Sequence, residues 1–187
     1  MKLTKPKGIL VVGYHRSGKT SAIELLIPML RSLGLRVATI KHHVSREEFT
    51  IDVEGKDSWR HGAAGAEATL LVAPKEMVLI RRIETSKLGW EEIYSIIANQ
   101  NYDVVIVEGF KSLAGRRRDL WKLVLARSLE EAKEIMSYLS EPVLAIAGWN
   151  VSWEKESWNN IPLISLPDEK EKLFSLVRSK VLEDHFE

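Results

Sequence analysis

Short apolar runs alternate with amphipathic stretches along most of the chain. Gly8 to Val12 reads as a short buried strand. From Ser21 to Leu33, Ile23, Leu26, Ile27, Leu30 and Leu33 recur at spacings of three and four, which predicts a helix with one apolar face. Gly34 is placed to end it. Arg36 to Ile40 predicts the next strand, and His43 to Lys56 is polar and loop-like, with a short extended piece at Phe49 to Val53. Asp57 to Gly65 predicts a short helix capped by Asp57 or Ser58. Ala68 to Ala73 and Glu76 to Arg81, joined across Pro74-Lys75, read as a β-hairpin. Trp90 to Ala98 predicts a helix. Tyr102 to Val107 is nearly continuous in apolar residues, so that strand is expected to be buried on both faces. Leu120 to Ala126 and Pro142 to Ala147 are further strands. Leu173, Phe174, Val177 and Val181 mark one face of a closing helix from Glu169 to Leu182. Strands alternating with helices predict the α/β class, a mainly parallel sheet flanked by helices, with the hairpin added to it. Residues 1–187 are expected to form a single domain.

The turn between the first strand and the first helix carries the chemistry. Gly13-Tyr14-His15-Arg16-Ser17-Gly18-Lys19-Thr20 fits G-x-x-x-x-G-K-[ST], the phosphate loop of P-loop NTPases. The spacing has a physical reason. Two glycines let the backbone bend until successive N–H groups converge on an anion. The helix that follows adds unpaired amides and the positive end of its dipole. Lys19 is expected to reach the outer phosphates and Thr20 to offer a hydroxyl to Mg²⁺. Gly13, His15, Arg16, Ser17, Gly18, Lys19, Thr20 and Ser21 are therefore the predicted nucleotide contacts.

Such a loop needs a carboxylate at the end of a neighbouring strand to hold the cation. Glu108 follows four apolar residues and emerges where ligands bind in open α/β sheets, at the carboxyl edge. Thr20 and Glu108 are the predicted metal contacts. Lys41 ends a second strand at the same edge and is a further candidate for phosphate. His42 and His43 follow it, but neighbours on an extended chain point to opposite faces, so a shared metal is not the first reading. Asp52, Lys56 and Asp57 lie in a dense charged run after that strand and are candidates to support the phosphate contacts or face a substrate. Arg116-Arg117-Arg118 reads by default as a solvated run.

Composition narrows the classes. A formal net charge of +1 gives no global field for nucleic acid or an anionic membrane. The chain has no cysteine, which removes disulfides, thiolate catalysis and cysteine metal sites and suits a cytoplasmic address. The apolar run after the basic start ends at Gly13, too short for a signal peptide or a membrane span.

Several ordered pieces together resemble the molybdopterin-guanine dinucleotide biosynthesis protein B (MobB) family. They are Gly13 to Thr20, Ile40-Lys41-His42, Asp52 with Gly55-Lys56-Asp57-Ser58 and Ala63-Ala64-Gly65-Ala66, Val107-Glu108-Gly109-Phe110-Lys111, and Lys122 to Arg127. The resemblance implies a GTP-binding accessory protein with at most slow Mg²⁺-dependent hydrolysis. It implies a homodimer that assists the guanylyltransferase attaching GMP to molybdopterin, and it adds Lys111 to the residues behind the phosphate site. The chain departs from the family pattern at Val44-Ser45-Arg46-Glu47 and at Ala147-Gly148-Trp149-Asn150. It has no Asn-Lys-x-Asp motif, so guanine over adenine rests on the resemblance. A small-molecule kinase using the same loop, with the arginine run as a lid, and a metallochaperone-type GTPase using His42 and His43 are the alternative readings.

Overall fold

The computed structural model describes residues 5–43 and 51–183, so Val44 to Glu47 and the first part of the extended piece expected from Phe49 lie outside the described residues. The chain groups into two compact units, one of Met1–His43 with Gly89–Glu187 and one of Val44–Leu88.

The larger unit is a seven-stranded sheet. Its strands are β1 (Lys7–Gly13), β2 (Val37–Lys41), β5 (Val104–Glu108), β6 (Leu120–Leu125), β7 (Val143–Trp149), β8 (Ser157–Trp158) and β9 (Ile161–Leu166), in the order β2-β5-β1-β6-β7-β9-β8. All neighbours run parallel except the two-residue β8, which pairs antiparallel with β9. Parallel strands covered on both faces should be apolar throughout, and Val104, Val105, Ile106 and Val107 are all fully buried. Alternation along the strands divides the core in two. Ile9 and Val11 face one layer with α1 (Lys19–Ser32) and α6 (Lys170–Leu176), through Leu26, Leu30 and Leu173. Leu10 and Val12 face the other layer with α3 (Trp90–Ala98) and α5 (Leu129–Met136), through Trp90, Tyr94, Ala132 and Ile135. The short α4 (Lys111–Ala114) follows β5.

The smaller unit holds α2 (Asp57–Ala63) and the hairpin β3 (Ala68–Val72) with β4 (Met77–Arg81), paired antiparallel in the register Leu70 with Leu79. Its carboxylate Asp52 is the hub of a polar network. Arg82 reaches Asp52 at 3.0 Å, Thr69 at 3.1 Å and the Ser58 carbonyl at 3.3 Å, while the Ser58 hydroxyl donates to Asp52 at 2.7 Å.

The mainly parallel sheet flanked by helices agrees with the sequence reading, and the differences in individual elements have local causes. The N-cap of α2 is Lys56, not Asp57 or Ser58; Asp57 opens the first turn instead, where its charge meets the positive dipole end. Pro28 sits inside α1 without ending it, because it is exposed and the carbonyl it leaves unpaired belongs to the exposed Glu24. Helix α5 and strand β9 were not predicted. The closing helix changes at Val177 into a π-helical turn that runs to Leu182, still burying Val177 and Val181.

Candidate functional site

The site forms where β1 runs into α1. Gly18 has φ 85°, the left-handed region that a β-carbon penalises, and it serves as N-cap of α1. Gly13 is confined for another reason: an added Cβ would stand 2.3 Å from Ser17 Oγ and 2.5 Å from the Leu125 carbonyl. The loop between them therefore closes tightly over the ends of β1 and β6. Ser17 is buried at 5 % exposure, and its hydroxyl has no hydrogen-bond partner among the described residues.

Register brings the other chemical groups to the same edge. Val11 pairs with Glu108 on one side of β5, and Lys41 pairs with Glu108 on the other. The His42 amide donates to the Glu108 carbonyl at 3.0 Å and Gly109 N donates to the Val11 carbonyl at 3.1 Å, so the Glu108 backbone is held from both sides. Its carboxylate accepts from Thr20 Oγ1 at 3.3 and 3.4 Å and from Lys41 Nζ at 3.1 and 3.2 Å. Lys19 Nζ donates to the Gly13 carbonyl at 3.1 Å and the Tyr14 carbonyl at 2.7 Å. Burial lowers the Lys19 pKa from its ordinary value; Lys41 acts in the same direction and Glu108 opposes. The ammonium is thus desolvated beside an anion-shaped loop, which strengthens its attraction for phosphate. His15, Arg16, Gly18, Lys19, Thr20, Lys41 and Glu108 line an open cavity of about 370 Å³. Gly13, Ser17 and Ser21 belong to the loop and the first turn that frame it.

Asp52 is held within the smaller unit's own network, where Lys56 and Asp57 start α2. Lys111 places its ammonium 4.0 Å from the centroid of the Tyr138 ring and 5.6 Å from that of Tyr14, a cation–π arrangement at the edge of the loop. His42 stacks on Phe110 at 4.5 Å, and no cluster of three or more metal-ligating His, Asp or Glu occurs among the described residues.

Three relationships escaped the sequence reading. The Tyr14 hydroxyl donates to Glu134, which ties the loop to α5 and pushes the phenol pKa up to about 12. Trp149, at the end of β7, donates its indole N–H to the Gly18 carbonyl at 3.0 Å. Arg117 is not solvated: it forks onto Asp119 at 2.8 and 2.8 Å and pairs with Glu91 at 2.6 Å. The local signals were Tyr14 inside the motif itself and the spacing Arg117-x-Asp119.

Among the described residues no helix is long and apolar enough to cross a membrane.

Comparison with known proteins shows the family and the fold. The profile of the family "Molybdopterin guanine dinucleotide synthesis protein B" matches residues 9–149. The chain is 35% identical over 117 residues to a putative molybdopterin-guanine dinucleotide biosynthesis adapter protein of Methanocaldococcus jannaschii, covering 63% of this chain and 46% of that protein, so it spans about half that relative's length. It is 34% identical over 138 residues to the molybdopterin-guanine dinucleotide biosynthesis adapter protein of Haemophilus influenzae, covering 73% of this chain and 71% of that one. The crystal structure of Bacillus subtilis MobB superposes with a TM-score of 0.72 over 94% of this chain and 98% of that chain, at 24% identity, which shows the shared fold. A P-loop α/β sheet with a carboxylate at its edge, and a family profile spanning the loop, Glu108 and the end of β7, place the chain in the MobB family.

Proposed function

We propose that the chain is a GTP-binding accessory protein of molybdopterin guanine dinucleotide biosynthesis that assists the guanylyltransferase and hydrolyses GTP slowly. One observation carries the nucleotide part: the loop, Lys19, Lys41 and the Thr20–Glu108 pair converge on a single open cavity. Loop amides and Lys19 bind the phosphates, with Lys41 and Arg16 as further cations at the cavity wall. The hydroxyl of Thr20 and the carboxylate of Glu108 are hard oxygen donors on converging side chains, a set that suits Mg²⁺. Bound there, Mg²⁺ would neutralise phosphate charge. Among the described residues that line the cavity, Glu108 is the one carboxylate and His15 the one imidazole.

The biosynthetic role follows the relatives named as adapter proteins. A cytoplasmic location fits that role, and a homodimer fits the apolar hairpin. Calorimetric titration with GTP and ATP, with and without Mg²⁺, tests the nucleotide reading; GTP binding at least tenfold tighter than ATP is expected. Addition of the protein to a guanylyltransferase reaction should raise the yield of molybdopterin guanine dinucleotide. No nucleotide binding at all, or no effect on that yield, would sink the corresponding half of the reading.

A further inference from the structure

Trp149 reaches the phosphate loop from two strands away. In the sheet, β6 lies between β1 and β7, so a side chain at the end of β7 must cross the end of β6 to meet α1. The backbone there is tightly fixed. Trp149 is in register with Leu166 of β9, and the next residue, Asn150, turns at φ 54° while its amide donates to the Leu166 carbonyl at 2.8 Å. Gly148 just before it leaves no room for a side chain: a Cβ would stand 2.7 Å from the Ala126 carbonyl. The strand end is thereby clamped between β6 and β9, and the indole is aimed at Gly18.

Two contacts meet at Gly18. The ring fills the space a β-carbon would need, with the indole Cδ1 2.1 Å from that position. The Gly18 carbonyl accepts from Trp149 Nε1 at 3.0 Å as well as from the Ala22 amide at 3.0 Å. Because a peptide group is planar and trans, fixing its carbonyl also fixes the N–H on its other side. That N–H belongs to Lys19, at the first position of α1, where helical geometry supplies no partner. It is one of the amides on which phosphate binding at a helix N-terminus depends.

We propose that Trp149 is a positioning residue of the phosphate site: its indole locks the Gly18–Lys19 peptide so that the loop is set for an anion before one arrives. This rests on the reading of the cavity as a nucleotide site. Preorganisation of this kind raises affinity by removing the ordering cost from the binding step. It acts through backbone amides, so it is indifferent to the base and to Mg²⁺.

The test uses the full chain with two probes, GTP and inorganic tripolyphosphate, each in the presence of EDTA. Trp149→Phe keeps a ring and removes the donor; Trp149→Ala removes both. Loss of a neutral hydrogen bond predicts about fivefold weaker binding of both probes to Trp149→Phe, and a larger loss for Trp149→Ala. The melting temperature of Trp149→Phe should stay within about 3 °C of the parent. Equal affinity of parent and Trp149→Phe for both probes overturns the proposal. A loss for GTP alone overturns it in favour of stacking against the base. A loss matched by a collapse in melting temperature assigns Trp149 to stability only. A parent that binds neither probe overturns the nucleotide reading itself, and this proposal with it.

Discussion

Lys41 and Glu108 face each other across β2 and β5 with 3.1 Å between Nζ and Oε1, and Thr20 Oγ1 approaches the same carboxylate at 3.3 Å. The pair is asymmetric: the lysine side chain is 59% exposed and the carboxylate 13%. An arriving cation therefore competes with a solvated ammonium that can swing away, rather than with a buried partner. Such a half-exposed pair contributes at most about 1 kcal/mol to folding. Glu108→Gln should consequently leave the melting temperature almost unchanged while lowering Mg²⁺-dependent nucleotide affinity by about tenfold or more. Titrations with Mg²⁺ and with EDTA separate the effects; equal losses under both conditions would show that Glu108 does not hold the cation.

Lys19 gives two of its three ammonium hydrogens to loop carbonyls, which holds it in place and leaves the third for an anion. Both are main-chain groups of the loop itself, and removing the side chain leaves the apolar core intact. Lys19→Ala is expected to lose nucleotide binding by about 100-fold or more, because the main point charge on the phosphates goes with it. Circular dichroism should show a fold unchanged. Retention of near-parent affinity in the folded variant would refute the role.

Lys122 on β6 is completely buried, with its ammonium donating to the carbonyls of Arg117 and Glu141. Burial pushes its pKa down to about 8 from 10.5, Arg117 adds to the drop, and Asp119 opposes it. A folded value below the unfolded one means that the folded state releases the proton first. Between about pH 8 and 10 the unfolded chain holds more protons, so stability rises with pH in that window. At neutral pH the buried charged form is therefore a net cost to the fold, even with the two carbonyls as partners. Lys122→Met should flatten the rise. Tyr14 and Tyr94, pushed up to about 12, act in the opposite sense above pH 10 and cancel in the difference between the two proteins. Denaturant unfolding of both proteins from about pH 7 to about pH 10 measures that difference, and a pH-independent difference would rule the titration out.

The site's first contacts were legible because short-range rules write them. The loop motif fixes Gly13 to Thr20, and the unbroken apolar run before Glu108 puts that carboxylate at a strand end. What was missed is set by partners distant in sequence. Trp149 meets Gly18 only because β7 lies two strands from β1, and no local pattern encodes that order. Strand β9 was hidden by Pro162, which is tolerated because Ser157 of the two-residue β8 is its partner at the sheet's edge. Helix α5 did carry a signal, Ser128 three residues before Glu131, and the Ser128 hydroxyl indeed accepts from the Glu131 amide at 3.2 Å. Lys122 reads as polar yet is the largest fully buried side chain among the described residues, since two carbonyls supply what water would.

Asp52 offers a contrast between two roles that sequence left open. Its side chain is only 6% exposed and accepts from Arg82 and Ser58. Removing it takes the charge partner from the Arg82 guanidinium, which keeps Thr69 and the Ser58 carbonyl and packs where Gly62 leaves room. Asp52→Ala is expected to weaken the smaller unit by about 2 kcal/mol. Hydrogen exchange should then quicken at the amides of β3 and β4. Unchanged exchange together with weakened nucleotide binding would return Asp52 to the phosphate site.

The hairpin predicts the oligomeric state. Leu70 and Leu79 pair across β3 and β4 and are 56% and 55% exposed, with Leu71, Val72 and Met77 exposed beside them. A two-stranded ribbon with this much apolar surface is marginal alone in water. Its open edge and apolar faces suit pairing with a second copy, and twofold closure satisfies both copies at once. Light scattering at micromolar concentration should give the mass of a dimer. Leu70→Glu with Leu79→Lys should give a monomer, since it puts charge at the centre of the contact while keeping a cross-strand pair favourable within the hairpin. GTP affinity per chain should change by less than about twofold, because neither residue lines the cavity. A parent that runs as a monomer refutes the dimer. A double variant that remains a dimer moves the interface away from the hairpin.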